Sequence, residues 1–274
     1  MAKTIAKDSY RIGQYAQKMG VTPDFLKYYE QVGLLNCQTS ENGYRYYRFG
    51  ESYKILECMR LKNYGFSVRE RETLLGEDMR TLQRKMDEQI QAMEQKVAFE
   101  QRVIAAHHDF QDWLCRMEGK SADWSIGWSE EMLFLPHTNR RNFLDDPRIY
   151  EILKDWINNM PLVRSCMRIQ PPLTPPFRPE TSEFVWGLVV PRRTAAEIAL
   201  PVNDVVVSLP RKKIFQYSFI NQNQATPMPI DDAVQKLLQL GLQPIGSVCV
   251  TIFMYANIRH NSQRCGMISI PIAE

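Results

Sequence analysis

The chain has 274 residues, of which 44% are hydrophobic and 24% charged, a balance that excludes a collagen-like, mucin-like or wholly disordered protein. No apolar run reaches the roughly 18 residues that a membrane-spanning helix needs, and the polar N-terminus lacks the apolar core of a signal peptide. Residues 1–71 carry 12 Lys and Arg against 7 Asp and Glu, whereas the rest of the chain carries 22 against 24. This asymmetry indicates a nucleic-acid-binding segment joined to another module, although an ordinary solvated surface explains it equally well.

The first elements in the chain are two short helices around a tight turn. Apolar residues recur at helical spacing over 12–19, and Gly20 is a natural helix stop. Thr22 is a favourable N-cap and Pro23 a favourable first residue for a second helix, which ends before Gly33. The arrangement predicts a helix-turn-helix whose second helix enters the major groove of DNA.

A hairpin is predicted next. The dipeptide Asn42-Gly43 is a strong signal for a two-residue turn, and the strand after it interleaves two arginines with three tyrosines over residues 44–48. Guanidinium and phenol groups donate hydrogen bonds to phosphate oxygens, so the hairpin reads as a DNA-binding wing. An ordinary hairpin with aromatic cross-strand pairs is the alternative. Helices are predicted over 51–65 and 67–75, and the second of these opens with a Ser67–Glu70 capping box.

Residues 78–118 contain no Gly or Pro and show a heptad repeat. One seam position holds Gln83, Ile90, Val97, Ile104 and Gln111, and the other holds Met79, Met86, Met93, Glu100, His107 and Leu114. A helix of this length extends about 60 Å at 1.5 Å per residue. The seam predicts a coiled coil, most simply with a second copy of the chain.

The C-terminal part alternates strand and helix signals. Strands are predicted over 132–136, 184–191, 204–209, 213–220, 248–255 and 267–272, and helices over 148–159 and 230–240. A proline-rich run at 170–179 is typical of an extended loop. The order predicts an α+β fold with a duplicated β-α-β-β unit around an antiparallel sheet.

The N-terminal motifs resemble the DNA-binding domain of the MerR family of bacterial transcription regulators. The matching residues are Tyr10–Gly13, Gly20–Pro23, Leu26–Glu30, Gly33–Leu35, Gly43–Arg45, Tyr47 and Gly65–Ser67. Three positions depart from the family pattern. Phe25 stands where a small polar residue is common, and it is either a contact to a thymine methyl group or local packing. Lys27 stands where arginine is usual, which removes a bidentate donor, and Arg71 stands where an apolar residue is usual.

The C-terminal part resembles the GyrI-like small-molecule-binding domain found in multidrug-responsive members of that family. The resemblance rests on the strand Val185–Val190, residues 209–215, the turn at 241–244 and residues 268–272. Together the two resemblances imply a winged helix-turn-helix over 1–76, an antiparallel coiled-coil dimerisation helix over 77–119 and an effector-binding domain over 120–274.

The implied function is that of a cytoplasmic, ligand-responsive transcription regulator. A homodimer would bind double-stranded promoter DNA, with RNA polymerase at the promoter, and would distort the DNA when a lipophilic aromatic molecule binds. No enzyme activity, cofactor or membrane partner is expected. Hydrolysis of a small molecule by the GyrI-like domain and a ligand-free architectural protein stay open as alternatives.

A metal sensor is not expected. Metal-sensing relatives place cysteines at the start of the long helix, but Gly76–Gln83 contains none. The six cysteines of the chain include no CxxC pair, which favours reduced thiols over a zinc site.

The sequence nominates candidate residues for both sites. The candidates for DNA binding are Arg11, Thr22, Asp24, Phe25, Lys27, Tyr28, Tyr44, Arg45, Tyr47, Arg48 and Lys62. The candidates for ligand binding are Trp124, Trp128, Phe134, Trp156, Glu183, Phe184, Trp186, Phe215, Tyr217, Phe253 and Tyr255. Residues 233–273 contain no Asp or Glu, so a carboxylate for a cationic ligand would come from Glu183, Glu130 or Glu131. A pocket for neutral or anionic aromatic molecules is the alternative.

Overall fold

The computed structural model describes residues 7–171, 183–221, 228–258 and 261–273, so most of the proline-rich loop predicted at 170–179 lies outside the described residues. The helices are α1 (Ile12–Met19), α2 (Pro23–Gln31), α3 (Glu51–Asn63), α4 (Val68–Leu74), α5 (Met79–Met117), α6 (Pro147–Asn158), α7 (Arg192–Glu197) and α8 (Ile230–Gln239). None of the helices in these ranges is long and apolar enough to cross a membrane.

Three short strands lie in the N-terminal part of the chain: β1 (Ser9–Arg11), β2 (Gln38–Thr39) and β3 (Arg45–Arg48). Those that follow are β4 (Ala122–Trp128), β5 (Met132–Pro136), β6 (Thr138–Asn139), β7 (Asn142–Phe143), β8 (Arg164–Ile169), β9 (Phe184–Pro191), β10 (Val207–Leu209), β11 (Lys213–Asn221), β12 (Val248–Ile258) and β13 (Asn261–Pro271).

The chain divides into two compact units, Met1–Val97 and Ala98–Glu274. The boundary lies inside α5, which the sequence analysis treats as a segment of its own. The predicted division into three parts stays a prediction.

The helix-turn-helix of the first unit forms as its caps predict. Gly20 ends α1 with φ +67°, in the left-handed region that glycine adopts without a Cβ penalty. The Thr22 hydroxyl accepts a hydrogen bond from the backbone N–H of Phe25 at 3.1 Å and caps α2. Leu26 and Tyr29 turn inward from α2 and are buried.

The wing has three strands rather than two. Its order is β1-β3-β2, because residues 9–11, just before α1, pair antiparallel with β3. Strand β1 was not predicted, since three residues are too few to show an alternating pattern. Its last residue, Arg11, lies opposite Tyr46.

The two helices after the wing form close to the predicted ranges, as α3 over Glu51–Asn63 and α4 over Val68–Leu74. Ser67 and Glu70 form both hydrogen bonds of a capping box at the start of α4. Arg71, where an apolar residue is usual, is nevertheless buried. Its guanidinium donates hydrogen bonds to the Tyr29 hydroxyl and to the backbone carbonyl oxygen of Cys58 at 3.3 Å.

The second unit is built on one eight-stranded antiparallel sheet. Its order is β10-β5-β9-β8-β12-β13-β11-β4. Four strands, β4, β6, β7 and β8, and the helix α7 were not predicted from the sequence. Only the last three residues of the strand predicted at 204–209 are extended. Charged and small residues in β8 (Arg-Ser-Cys-Met-Arg-Ile) and β4 (Ala-Asp-Trp-Ser-Ile-Gly-Trp) conceal the apolar alternation that marks a strand.

Helices α6 and α8 cover one face of the sheet. Core residues of α8 pack against alternate residues of the central strands, including Met167 of β8 and Val250 of β12. Core residues of α6 pack against β5 and β9. Since successive residues of a strand point to opposite faces, the even-numbered residues of β8 and the odd-numbered residues at the start of β12 face the other side.

Candidate functional site

The polar side chains at the start of α2 are exposed but partly engaged with each other. Thr22 uses its hydroxyl oxygen as the N-cap. Lys27 donates a hydrogen bond to the Asp24 carboxylate at 2.9 Å, and both side chains are exposed. An exposed pair of this kind contributes little to stability, so a phosphate or a base edge can replace the Asp24 carboxylate as the partner of Lys27.

Two aromatic residues of α2 have different surroundings. Phe25 is half-buried and stacks on Tyr29 with ring centroids 4.0 Å apart, so it serves the packing of the helix at least in part. Tyr28 is exposed on the surface of the same helix. Of the two, Tyr28 is more open to a partner, although its ring also makes an edge contact with Tyr29 at a centroid distance of 5.9 Å.

One face of the wing holds an arginine between two tyrosines. The Arg11 guanidinium lies over the Tyr44 ring, 4.9 Å from its centroid, and its Nε donates to the Tyr46 hydroxyl at 3.2 Å. This hydrogen bond raises the pKa of Arg11. Arg11 therefore belongs to the wing and not to the first helix, and the tyrosines hold its cation in place on the surface.

The opposite face of the wing is tied to α2 by Glu30. Its Oε2 accepts hydrogen bonds from Arg45 Nε and from the Tyr47 hydroxyl, each at 3.1 Å. Burial raises the pKa of Tyr47, so its hydroxyl keeps the proton that it donates. Glu30 thus sets the position of the wing relative to the second helix, a role that sequence reasoning missed because the partners are 15 and 17 residues away.

The structure corrects one DNA-binding candidate. Tyr47 is 0% exposed and packs against Tyr15 with ring centroids 5.3 Å apart, so it belongs to the core of the first unit and not to a DNA-contacting surface. The strand places Tyr46 on the exposed face and Tyr47 on the core face. Arg48 and Lys62 are exposed, and Arg48 lies 3.6 Å from the Asp8 carboxylate.

The second unit contains a cavity of about 750 Å³ on the sheet face away from α6 and α8. Its floor includes Arg164, Cys166 and Arg168 of β8 and Cys249 and Thr251 of β12. Cys166 lies opposite Thr251, and Arg168 lies opposite Cys249, in the pairing of the two central strands.

One wall of the cavity is a helix. Arg102, Ala105, Ala106 and Asp109 line it at the spacing of one face of α5. Arg102 Nε lies 3.1 Å from the carboxylate of Glu197, which also lines the cavity. All of these residues belong to the second unit.

The floor also carries two thiols that influence each other. A hydrogen bond between them raises the pKa of Cys166 and lowers that of Cys249, and the charge of Arg168 further lowers the pKa of Cys249. Cys249 is therefore the thiol that ionises more readily. Sequence reasoning did not find this pair, because residues 83 positions apart meet only through strand pairing.

Trp128 alone among the predicted ligand-binding residues lines this cavity, together with Glu130, which was named as an alternative carboxylate. The structure corrects the prediction for Trp156, Phe184 and Phe215, which are buried in the two helix-covered cores. Phe134 is buried on the cavity face of the sheet, packed with Cys166 and Val189, but it does not line the cavity. Trp186 and Tyr217 also pack against a core. These rings face inward because strand alternation or an amphipathic helix face puts large apolar residues where the core forms.

The other nominated residues lie outside the cavity for different reasons. Phe253 packs against Trp113 of α5, with ring centroids 5.2 Å apart. Glu183 forms an exposed ion pair with Arg140. Trp124 and Tyr255 are exposed elsewhere on the second unit. The carboxylate preferred by the sequence analysis thus does not face this cavity.

Comparison with known proteins gives a consistent result for the N-terminal region. Residues 10–77 match the model of the family described as MerR HTH family regulatory protein. The mercuric resistance operon regulatory protein of Bacillus cereus is 35% identical over 68 residues, which cover 24% of this chain and 52% of that protein. The HTH-type transcriptional regulator HmrR of Rhizobium leguminosarum bv. viciae is 34% identical over 65 residues, covering 24% and 50%.

The chain spans about half the length of the curated relatives it matches. Among solved structures, a cryo-EM structure of the EcmrR–DNA complex in EcmrR-RPo is 15% identical. That match covers 97% of this chain and 100% of the other, with a TM-score of 0.37.

Proposed function

Since residues 10–77 are a helix-turn-helix domain of the MerR family, we propose that the chain is a ligand-responsive transcription regulator that binds promoter DNA as a homodimer. The observation that carries this proposal is the MerR-type helix-turn-helix, with Arg11, Lys27, Arg45 and Arg48 exposed on or beside it. Arginine and lysine on a surface of this kind bind phosphates and position a helix in the major groove. RNA polymerase at the same promoter is the expected protein partner.

The exposed seam of α5 supports the homodimer. Ile90, Met93, Val97 and Ile104 are each about half exposed, although their spacing is that of a coiled-coil seam. Burying such side chains contributes about 25 cal/mol for each Å² of apolar surface. A second copy of α5 offers the complementary seam.

The strand order supports a GyrI-like, internally duplicated second unit. Reading outward from the β8–β12 pair, the order is β8, β9, β5 in one direction and β12, β13, β11 in the other. Each set follows the chain pattern strand, helix, strand, strand. Each outer edge is completed by the strand that precedes the other set in the chain, β10 beside β5 and β4 beside β11.

The cavity supports ligand sensing by this unit. A volume of about 750 Å³ is in the range that holds a drug-sized molecule. A ligand-free architectural protein would have this space filled by its aromatic side chains, but only Trp128 among those nominated lines it. A hydrolase has less support, because the described residues that line the cavity include no histidine.

The long helix offers a route from ligand to DNA. Arg102 and Asp109 of α5 line the cavity, and Ile104 of the same helix lies on the exposed seam. A ligand that changes the position of α5 would therefore change the dimer geometry. Coupling energies of about 1–3 kcal/mol are comparable with the lower part of the roughly 1–6 kcal/mol that bending a DNA site costs.

Footprinting on the promoter of the chain's own gene tests the proposal. We expect a two-fold symmetric footprint, and ligand-dependent transcription when RNA polymerase is added. Val97→Asp in the seam should abolish dimerisation, measured by light scattering, and with it the footprint. Lys96→Asp, an exposed substitution beside the seam, is the matched control and should keep both. A footprint without two-fold symmetry, or a Val97→Asp monomer that gives the full footprint, would contradict the dimer mechanism.

A further inference from the structure

We propose that the cavity of the second unit takes an amphipathic anion, a lipophilic molecule with one carboxylate, sulfonate or phosphate group, and that Arg168 with Arg164 binds the charged group. This inference rests on the proposed function, because it names the class of molecule that the sensing unit recognises. It differs from the expectation of a lipophilic cation held by Glu183.

The charged residues around the cavity are divided by burial. The basic lining residues are Arg102, Arg164, Arg168, Arg193 and Lys212, and the acidic ones are Asp109, Glu130 and Glu197. Of the basic residues, all but Arg193 are half-buried. All three acidic residues are exposed. The interior of the cavity is therefore cationic, and its carboxylates lie toward the solvent.

The ion pairs around the cavity leave part of this charge without a partner. Glu197 lies 3.1 Å from Arg102 and 3.7 Å from Arg193, so it serves two cations at once. Asp109 is the carboxylate that acts on Arg164. Within the part of the chain that the structure describes, neither Arg168 nor Lys212 forms an ion pair.

Because the arginines at the cavity floor are partly withdrawn from solvent, an anion bound beside them would stabilise their charge. Desolvation lowers the pKa of Arg164, and Asp109 compensates only in part. A guanidinium that has lost water gains more from an anion than an exposed one does, because the effective dielectric constant is lower. Arg164 and Arg168 are four residues apart on one strand, with Cys166 between them, and point to the same side. Their Cα atoms are about 13 Å apart at 3.3 Å per residue, so an acidic group above Cys166 is within reach of both long side chains.

The rest of the cavity suits an apolar body. Met132, Val189 and Met267 line it from three strands, and Trp128 offers an aromatic ring at its margin. Methionine side chains adapt to irregular apolar shapes. The lining thus combines an apolar wall with a cationic floor, which matches a molecule that is lipophilic at one end and anionic at the other.

Three ligands with one ring system separate charge from shape. Pyrenebutyrate, pyrenebutanol and pyrenebutylamine carry negative, zero and positive charge at pH 7 on the same scaffold, and pyrene fluorescence reports their binding to the full-length protein. We expect pyrenebutyrate to bind most tightly and the amine most weakly, with a difference of about tenfold or more in Kd between them.

Substitutions of Arg168 assign the charge to its residue. Arg168→Gln should weaken pyrenebutyrate binding by about tenfold and leave pyrenebutanol almost unchanged. Arg168→Lys keeps the charge and should retain most of the affinity. Arg116→Gln removes an exposed arginine of α5 that does not line the cavity and is the matched control.

Two results would overturn the inference, and they differ from failure of the proposed function. Tighter binding of the amine than of the acid, or an acid affinity that Arg168→Gln leaves intact, would show a ligand site without the proposed anion specificity. Failure of all three compounds to bind would remove the sensing role of the second unit together with this inference.

Discussion

Arg71 in the first unit and Arg168 in the second are both withdrawn from water, but their surroundings differ. Arg71 is 4% exposed, and its guanidinium donates to the Tyr29 hydroxyl and to the carbonyl oxygens of Cys58 at 3.3 Å and Ser67 at 3.2 Å. Arg168 is half-buried beside two thiols at the floor of a cavity, and within the described ranges it has no carboxylate partner.

The difference separates a structural arginine from a binding one. Guanidinium has five N–H donors in a fixed plane, and the cost of burying it depends on how many find acceptors. Arg71 finds them in its own unit and thereby joins α2, α3 and α4. The floor position of Arg168 leaves its donors directed at a space that a ligand can fill.

Removing Arg71 should have the largest effect on stability. Arg71→Met removes the guanidinium donor from the oxygens of Tyr29 and Cys58, whereas the Ser67 carbonyl oxygen keeps the backbone N–H of residue 71 at 3.0 Å. We expect the free energy of unfolding of the first unit to fall by about 3 kcal/mol. Urea denaturation followed by circular dichroism measures this loss. The resembled family usually has an apolar side chain at this position. The expected loss of stability here therefore comes from the buried acceptors that Arg71→Met leaves without a guanidinium donor.

The same substitution at the other arginine is the control. Arg168→Met removes a half-buried cation without leaving a carboxylate unpaired, so the stability of the second unit should change by less than about 1 kcal/mol. Equal destabilisation by the two substitutions would show that Arg168 also holds its unit together, and would remove the contrast.

The first unit could be predicted from the sequence in most of its elements. Turn and cap residues such as Gly20, Thr22 and Ser67 act locally, so they fix α1, α2 and α4 without knowledge of the rest of the chain. The face of the wing could not be predicted, because Tyr46 and Tyr47 are chemically identical. Only the packing of the strand against Tyr15 determines which of them is buried.

Few of the residues that line the ligand cavity could be predicted from the sequence. Aromatic residues were nominated because they stack on ligands, but the same property places them in cores. The residues that do line the floor alternate along β8 as Arg164, Cys166 and Arg168. This polar alternation at period two was the available signal, and it was missed because the segment lacks the apolar character expected of a strand.

Removing Glu30 should have the next largest effect on stability. It tests whether a charged side chain in the first unit stabilises the contact between the wing and α2. Glu30→Ala leaves the buried Tyr47 hydroxyl and Arg45 without an acceptor, so we expect a loss of about 1–2 kcal/mol at pH 7 by urea denaturation. Glu41→Ala, an exposed change in the turn of the wing, is the control and should have little effect.

The same variant gives a pH dependence with a defined sign. Burial alone would raise the pKa of Glu30, but hydrogen bonds from the Cys37 thiol and the two wing side chains outweigh it and lower the pKa below the ordinary 4.5. A lowered pKa in the folded state means that this stabilisation is present above pH 4.5 and is lost as the pH falls through the folded value. The difference between wild type and Glu30→Ala should therefore shrink in acid, and a difference that stays constant would contradict it.

The smallest effect concerns the exposed arginines, which should act through DNA and not through stability. Arg48 forms only a long, exposed pair with Asp8 among the described residues, so Arg48→Gln should leave the unfolding free energy unchanged within about 0.5 kcal/mol. If it contacts a phosphate, the slope of log affinity against log salt concentration should fall by about one for each arginine removed from the complex. Fluorescence anisotropy with labelled promoter DNA at several salt concentrations measures the slope, and Arg116→Gln in the second unit should leave it unchanged. An unaltered slope for Arg48→Gln would remove this arginine from the DNA-binding surface, and the contrast with the half-buried cations of the second unit would then rest on Arg11, Lys27 and Arg45.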